Sequence, residues 1–119
     1  MIRIRIRLAL VAASAASAVV LAGAAQAAPP LTGTVGPGFT ITLTQGGKKV
    51  TTLKAGTYTI KVADKSNVHN FHLSGPGVNK STSVPGTGSS TWTVKLKKGT
   101  YRYVCDPHAP IMKGSFRVT

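Results

Sequence analysis

The chain has 119 residues, with fifteen Lys and Arg against two acidic side chains, a formal net charge of +13 and a single cysteine. Two carboxylates are too few for hydrolytic acid–base work, and no Ser-His-Asp set or phosphate-cradling glycine loop is present, so an enzyme is not expected. One cysteine also excludes the disulfide framework that small exported domains commonly use.

The N-terminus carries Arg3, Arg5 and Arg7, then an apolar stretch over residues 8–21 interrupted only by Ser14 and Ser17. Ala25-Gln26-Ala27 supplies a small-x-small cleavage site. This is the pattern of a secretory signal peptide, so residues 1–27 are expected to be a leader and residues 28–119 the working domain. The protein is then placed in the periplasm, the cell envelope or the medium. The apolar run is short and alanine-rich for a membrane span of about 20 residues. No cysteine follows the cleavage site to carry a lipid anchor.

Residues 28–36 read as a linker. From Phe39 onward, apolar and polar residues alternate with the period of half-buried strands. Phe39, Ile41 and Leu43 form the first inward set, and Gly46-Gly47 breaks the run before Val50 and Leu53. Tyr58, Ile60 and Val62 follow, then His69, Phe71 and Leu73, then Trp92, Val94 and Leu96. Tyr101, Tyr103 and Cys105 come next, and Phe116 and Val118 close the series. Turn clusters separate them at Gly75-Pro76-Gly77, Pro85-Gly86-Thr87-Gly88 and Lys97-Lys98-Gly99. No stretch has a helical stripe. Roughly seven short strands in a domain of this size predict an all-β fold, an antiparallel Greek-key sandwich. Trp92, Tyr101 and Tyr103 are most simply core residues.

Outside the leader, twelve Lys and Arg face Asp64 and Asp106. They are spread along the chain rather than gathered in one run. A net charge of about +10 steers a small domain toward acidic partner proteins or an anionic envelope surface, although a solvated face accounts for it equally well. No nucleic-acid partner is expected, and the chain is expected to act as a monomer.

Cys105 is alone in a compartment where thiols pair, and burial, an intermolecular bridge or a metal must account for it. Three histidines (His69, His72 and His108) and one methionine beyond the leader (Met112) complete a soft donor set. Cys105, His108 and Met112 fall within eight consecutive positions. Two imidazoles, a thiolate and a weak axial thioether suit copper in both oxidation states. Cys105 ends an inward-facing strand, Asp106-Pro107 turns the chain back, and Ala109-Pro110-Ile111 returns Met112 toward the same point. A further donor has to come from another strand, and His69 lies on an inward position. Residues 69 and 72 of a strand face opposite sides, so His72 is the alternative to His69 rather than its companion.

The segment Cys105-Asp-Pro-His-Ala-Pro-Ile-Met-Lys-Gly-Ser-Phe116 resembles the C-terminal ligand loop of the cupredoxins, in the plastocyanin, pseudoazurin and amicyanin branch. Val68-His-Asn-Phe-His-Leu73 resembles their upstream histidine motif. The resemblance covers the whole region after the leader. It implies one type 1 copper ion held by His69, Cys105 and His108 with Met112 axial, and Asn70 tying the two ligand loops together. It also implies an exposed apolar rim at His108, Ala109, Pro110 and Ile111 through which electrons pass, with lysines around it for acidic redox partners. Two departures stand out. Three residues separate His108 from Met112, between the amicyanin-like two and the plastocyanin-like four. Asp106 follows the cysteine where the family usually has Ser or Thr, and its charge would favour Cu(II) and lower the reduction potential.

Three functions follow. The first is an exported electron carrier cycling between Cu(I) and Cu(II). The second is a copper-binding protein for delivery, storage or resistance, which needs the same donors. The third is a metal-free sandwich adhering to acidic envelope polymers through its lysines. Copper oxidases and nitrite reductases need further histidine-rich sites that three histidines cannot supply.

Overall fold

The computed structural model describes residues 27–119; the expected leader lies almost entirely outside them. Among the described residues no helix is long and apolar enough to cross a membrane.

Among the described residues, ten strands form two sheets. They are β1 (Leu31–Val35), β2 (Ile41–Gln45), β3 (Lys48–Lys49), β4 (Thr52–Leu53), β5 (Gly56–Asp64), β6 (His72–Gly75), β7 (Val78–Ser81), β8 (Gly88–Leu96), β9 (Gly99–Val104) and β10 (Lys113–Val118). A 3₁₀ turn, Asp106–His108, lies between β9 and β10. The first sheet has the order β3-β2-β1-β5-β8 and the second β4-β10-β9-β6-β7. Alternation of β-branched and polar residues gives each long strand one inward face, and the two inward faces meet in one core. Leu31, Leu43, Ile60, Phe71, Leu73, Leu96, Tyr101, Tyr103 and Phe116 are all buried there. Tyr103 stacks on Phe71 at 5.7 Å, and Tyr101 on Phe116 at 5.3 Å. The Tyr101 hydroxyl donates to the Pro76 carbonyl at 2.7 Å and accepts from the Lys97 amide at 2.9 Å, so this buried phenol is satisfied at the strand corner.

The sandwich expected from the alternation is present, with two differences. First, not every pair is antiparallel: β1 runs parallel to β5, and β4 parallel to β10. The period of two reports which face is buried and carries no strand direction. The chain leaves the first sheet after β3, adds β4 to the second and re-enters the first as β5 beside β1, in the same direction. Second, residues 31–35 are not a linker. They form β1, central in the first sheet, with Leu31 and Val35 fully buried. Gly33 conceals this strand by removing the middle apolar residue from the pattern. It does so for a packing reason: a β-carbon there would lie 2.8 Å from the Phe71 ring.

Candidate metal centre

Three loops converge at one end of the sandwich: residues 36–40 between β1 and β2, 65–71 between β5 and β6, and 105–112 between β9 and β10. Short side-chain and backbone hydrogen bonds fix each of them. In the second loop, the Ser66 amide donates to Asp64 Oδ1 at 3.1 Å and the Val68 amide to Ser66 Oγ at 3.2 Å. The Thr82 hydroxyl donates to Asp64 Oδ2 at 3.2 Å and accepts from the Phe71 amide at 2.9 Å. Asp64, one of only two acids in the sequence, is thus buried to hold the loop that carries His69. Gly36, at φ +72°, packs against the same loop; a β-carbon would sit 2.8 Å from Ser66 Cβ.

The third loop closes on itself. The His108 amide donates to the Cys105 carbonyl at 3.0 Å, with Pro107 early in the turn. The Ile111 and Met112 amides both donate to the His108 carbonyl, at 3.0 and 2.8 Å. The Cys105 amide then donates to the Met112 carbonyl at 3.0 Å, continuing the β9–β10 register in which Lys113 lies opposite Val104. Met112 is therefore the cross-strand neighbour of Cys105, on the same face of the ladder, and both side chains are buried. The three-residue spacer between His108 and Met112 fits one tight turn.

These loops bring together three of the residues singled out from the sequence. His69 Nδ1 and His108 Nδ1 are 3.0 Å apart, and Cys105 Sγ lies 3.6 and 3.5 Å from them. A triangle with these sides has a centre about 2.0 Å from each corner, close to the 2.0–2.3 Å that bound metal ions keep from imidazole nitrogen and thiolate sulfur. Two nitrogens and a sulfur facing one point suit a metal ion in chemistry as well as spacing, and the three side chains together can hold one.

Asn70 joins the loops. Its amide N–H points at Cys105 Sγ at 3.4 Å, its side-chain carbonyl accepts from the Asp106 amide at 2.8 Å, and its Nδ2 donates to Asp106 Oδ2 at 2.7 Å and the Thr82 carbonyl at 3.3 Å. His72 is not part of the donor cluster. It points to the other side of the second sheet, where its Nδ1 lies 2.9 and 3.1 Å from the two Asp106 oxygens and its Nε2 lies 2.6 Å from Asn79 Oδ1. The Asp106 hydrogen bond, then the Asn79 one, holds the His72 pKa above the ordinary imidazole value. Partial burial pushes the Asp106 carboxyl up, but hydrogen bonds from Asn70 and His72 outweigh it and hold the group below the usual carboxylate value.

Phe39 departs from the sequence reading. Instead of opening an inward-facing strand it is 63% exposed, and its ring stands edge-on to both imidazoles, 5.2 Å from His69 and 5.1 Å from His108. Alternation alone could not separate it from Ile41 and Leu43. With Ile111, 67% exposed, and Val68, 54% exposed, it makes up the exposed large apolar side chains among the described residues. All three lie on the three loops that converge at the donor cluster, Val68 and Ile111 on the two that carry donors and Phe39 on the third, so Phe39 and Val68 extend the rim expected at His108, Ala109, Pro110 and Ile111.

A family model described as copper binding proteins, plastocyanin/azurin family, matches residues 38–119. No curated protein matches the chain. Among solved structures, the chain is similar to the Met148Gln mutant of rusticyanin, at TM-score 0.55 and 23% identity over 75% of this chain and 76% of that one. It is also similar to dithionite-reduced auracyanin from the photosynthetic bacterium Roseiflexus castenholzii, at TM-score 0.55 and 20% identity over 78% of this chain and 98% of that one. At these identities the likeness is one of fold.

Proposed function

Because the chain belongs to the plastocyanin/azurin family of copper-binding proteins, we propose that it is an exported electron carrier in which His69, Cys105, His108 and Met112 would hold a single type 1 copper. The observation that carries this reading is the triangle of two imidazole nitrogens and one sulfur, with His69 and Cys105 buried, His108 half-buried, and Met112 opposite Cys105 on the same face. A bound copper ion would supply one-electron exchange between Cu(I) and Cu(II), and no substrate bond need be made or broken.

The residues would contribute as follows. Cys105 and His108 are fixed to each other by the turn between them, and His69 by the Asp64–Ser66–Thr82 bonds, so the donor triangle is held before any ion arrives. A site set by two rigid loops changes little between oxidation states, which keeps the reorganisation on electron exchange small. The Asn70 amide, directed at the Cys105 sulfur at 3.4 Å, would hold that sulfur in its orientation toward the ion. Burial of Cys105, His69 and Met112 keeps water from them, while partly exposed His108 sits in the apolar rim of Phe39, Val68 and Ile111. That rim suits brief, close docking of a redox partner, and the surrounding lysines suit an acidic one. Export as residues 28–119 fits β1 beginning at Leu31, just past the expected cleavage site.

The test is whether copper stays while its charge changes. Mature protein loaded with copper is expected to cycle repeatedly between a blue oxidised and a colourless reduced form while a competing chelator removes little of the metal. Rapid surrender of the metal to the chelator, with no reversible cycle, would instead indicate copper delivery.

A further inference from the structure

We propose that His72 is a positioning residue for the copper centre: as an imidazolium it neutralises Asp106 and so keeps the reduction potential from being drawn down by a carboxylate beside Cys105. This rests on the copper reading above and goes beyond it.

Each ring nitrogen of His72 faces an oxygen that can only accept: the Asp106 carboxylate at 2.9 and 3.1 Å and Asn79 Oδ1 at 2.6 Å. Asn79 presents its oxygen in this arrangement, so a neutral imidazole would satisfy only one side, whereas an imidazolium donates to both. The strands flanking β6 add no competing acid. β9 sets Val104 opposite His72 and Arg102 opposite Ser74, and β7 sets Ser81 opposite His72 and Lys80 opposite Leu73. Among the described residues, the His72–Asp106 pair is the one contact between a basic side chain and a carboxylate.

A path leads from this pair to the sulfur. Asp106 Oδ2 also accepts a hydrogen bond from Asn70 Nδ2 at 2.7 Å, and the Asn70 amide N–H points at Cys105 Sγ at 3.4 Å. A lone carboxylate one residue from Cys105 would favour the more positive Cu(II) state. Paired with a cation on its far side, it presents a dipole rather than a net charge. It also keeps the orientation in which it fixes Asn70. An acid thus stands directly after the cysteine, and the compensating cation comes from β6, the strand paired with β9.

The test uses the full mature protein and the His72→Gln, Asp106→Asn and double variants. First, nitrogen NMR of the metal-free wild type should show both His72 ring nitrogens protonated at neutral pH; a single protonated nitrogen would overturn the proposal without any variant. Second, in copper-loaded protein His72→Gln should lower the reduction potential, and the same substitution on an Asp106→Asn background should shift it far less. An unmoved or raised potential in His72→Gln, or equal shifts on both backgrounds, would overturn it. Retention of the blue colour and of the metal-free melting temperature identifies variants whose fold and site are intact. A wild type that never turns blue refutes the copper reading itself, whereas a blue wild type with an indifferent His72 refutes only this proposal.

Discussion

Asn70 carries more of the centre's order than any other uncharged side chain. Buried, it makes hydrogen bonds to Asp106 and Thr82 through its side chain and directs its amide N–H at Cys105. Asn70→Ala leaves the Asp106 amide and the Thr82 carbonyl without these partners, at a cost of about 1–3 kcal/mol. The metal-free variant should therefore melt lower in a calorimeter, and the copper-loaded one should lose metal faster to a chelator. The His72–Asp106 pair predicts a pH window for stability. His72 has a folded pKa above 6.5, so its contribution is whole below 6.5 and is lost as pH rises through the folded value. Asp106 has a folded pKa below 3.8, so its contribution is present above 3.8 and is lost as pH falls through the folded value. The melting-temperature gap between metal-free wild type and His72→Gln should accordingly be widest between these limits and narrow on the alkaline side. At this scale the sequence was largely legible. Cys105, His108 and Met112 stand close in the chain, and His69 precedes the Asn70 that marks the motif. Phe39 was not legible, because its exposure depends on a loop bending away from the sheet rather than on its neighbours in sequence.

At the scale of elements, the loop at residues 105–112 works because its ends are strands in register. The bond between the Cys105 amide and the Met112 carbonyl continues the β9–β10 ladder, so spacer length decides which face Met112 occupies. Inserting one glycine after Ala109 should displace Met112 from its place opposite Cys105. The expected result is a protein that still melts cooperatively and still binds copper through His69, Cys105 and His108, but with an altered visible spectrum and weaker retention of the metal. Gly114, opposite Tyr103 in the same ladder, has a different duty: a β-carbon there would overlap the Tyr103 ring, which lies stacked on Phe71. Gly114→Val should cost about 1–3 kcal/mol through forced repacking, measured as a lowered urea midpoint of the metal-free protein. Such glycines explain what the pattern hid. Gly33 removed one apolar residue from a five-residue strand and made β1 look like a linker, although its position between β2 and β5 is central. Strand direction was also beyond the pattern, since the parallel pairs β1–β5 and β4–β10 share the alternation of their antiparallel neighbours.

The whole molecule combines a fixed, largely buried donor cluster, open only at His108, with a surface almost devoid of acids. Asp64 is buried in a loop network and Asp106 is matched by His72, so the Lys and Arg side chains set the long-range field. Association with an acidic redox protein should slow steeply as salt rises toward and beyond about 0.15 M, where charges more than about 8 Å apart are screened. Stopped-flow electron transfer at increasing ionic strength reads this directly, and a salt-independent rate would count against electrostatic docking. The charge count made this field visible from the start; the gathering of Phe39, Val68 and Ile111 around the donor cluster emerged only once three distant loops met. Whether these loops build a thiolate–copper centre is tested most directly by the visible spectrum of the mature protein titrated with Cu(II). The intense thiolate-to-copper charge-transfer band of a blue centre should grow to saturation at one equivalent and be absent from Cys105→Ser. A well-folded wild type that stays colourless with Cu(II), or a Cys105→Ser variant that turns equally blue, would contradict it.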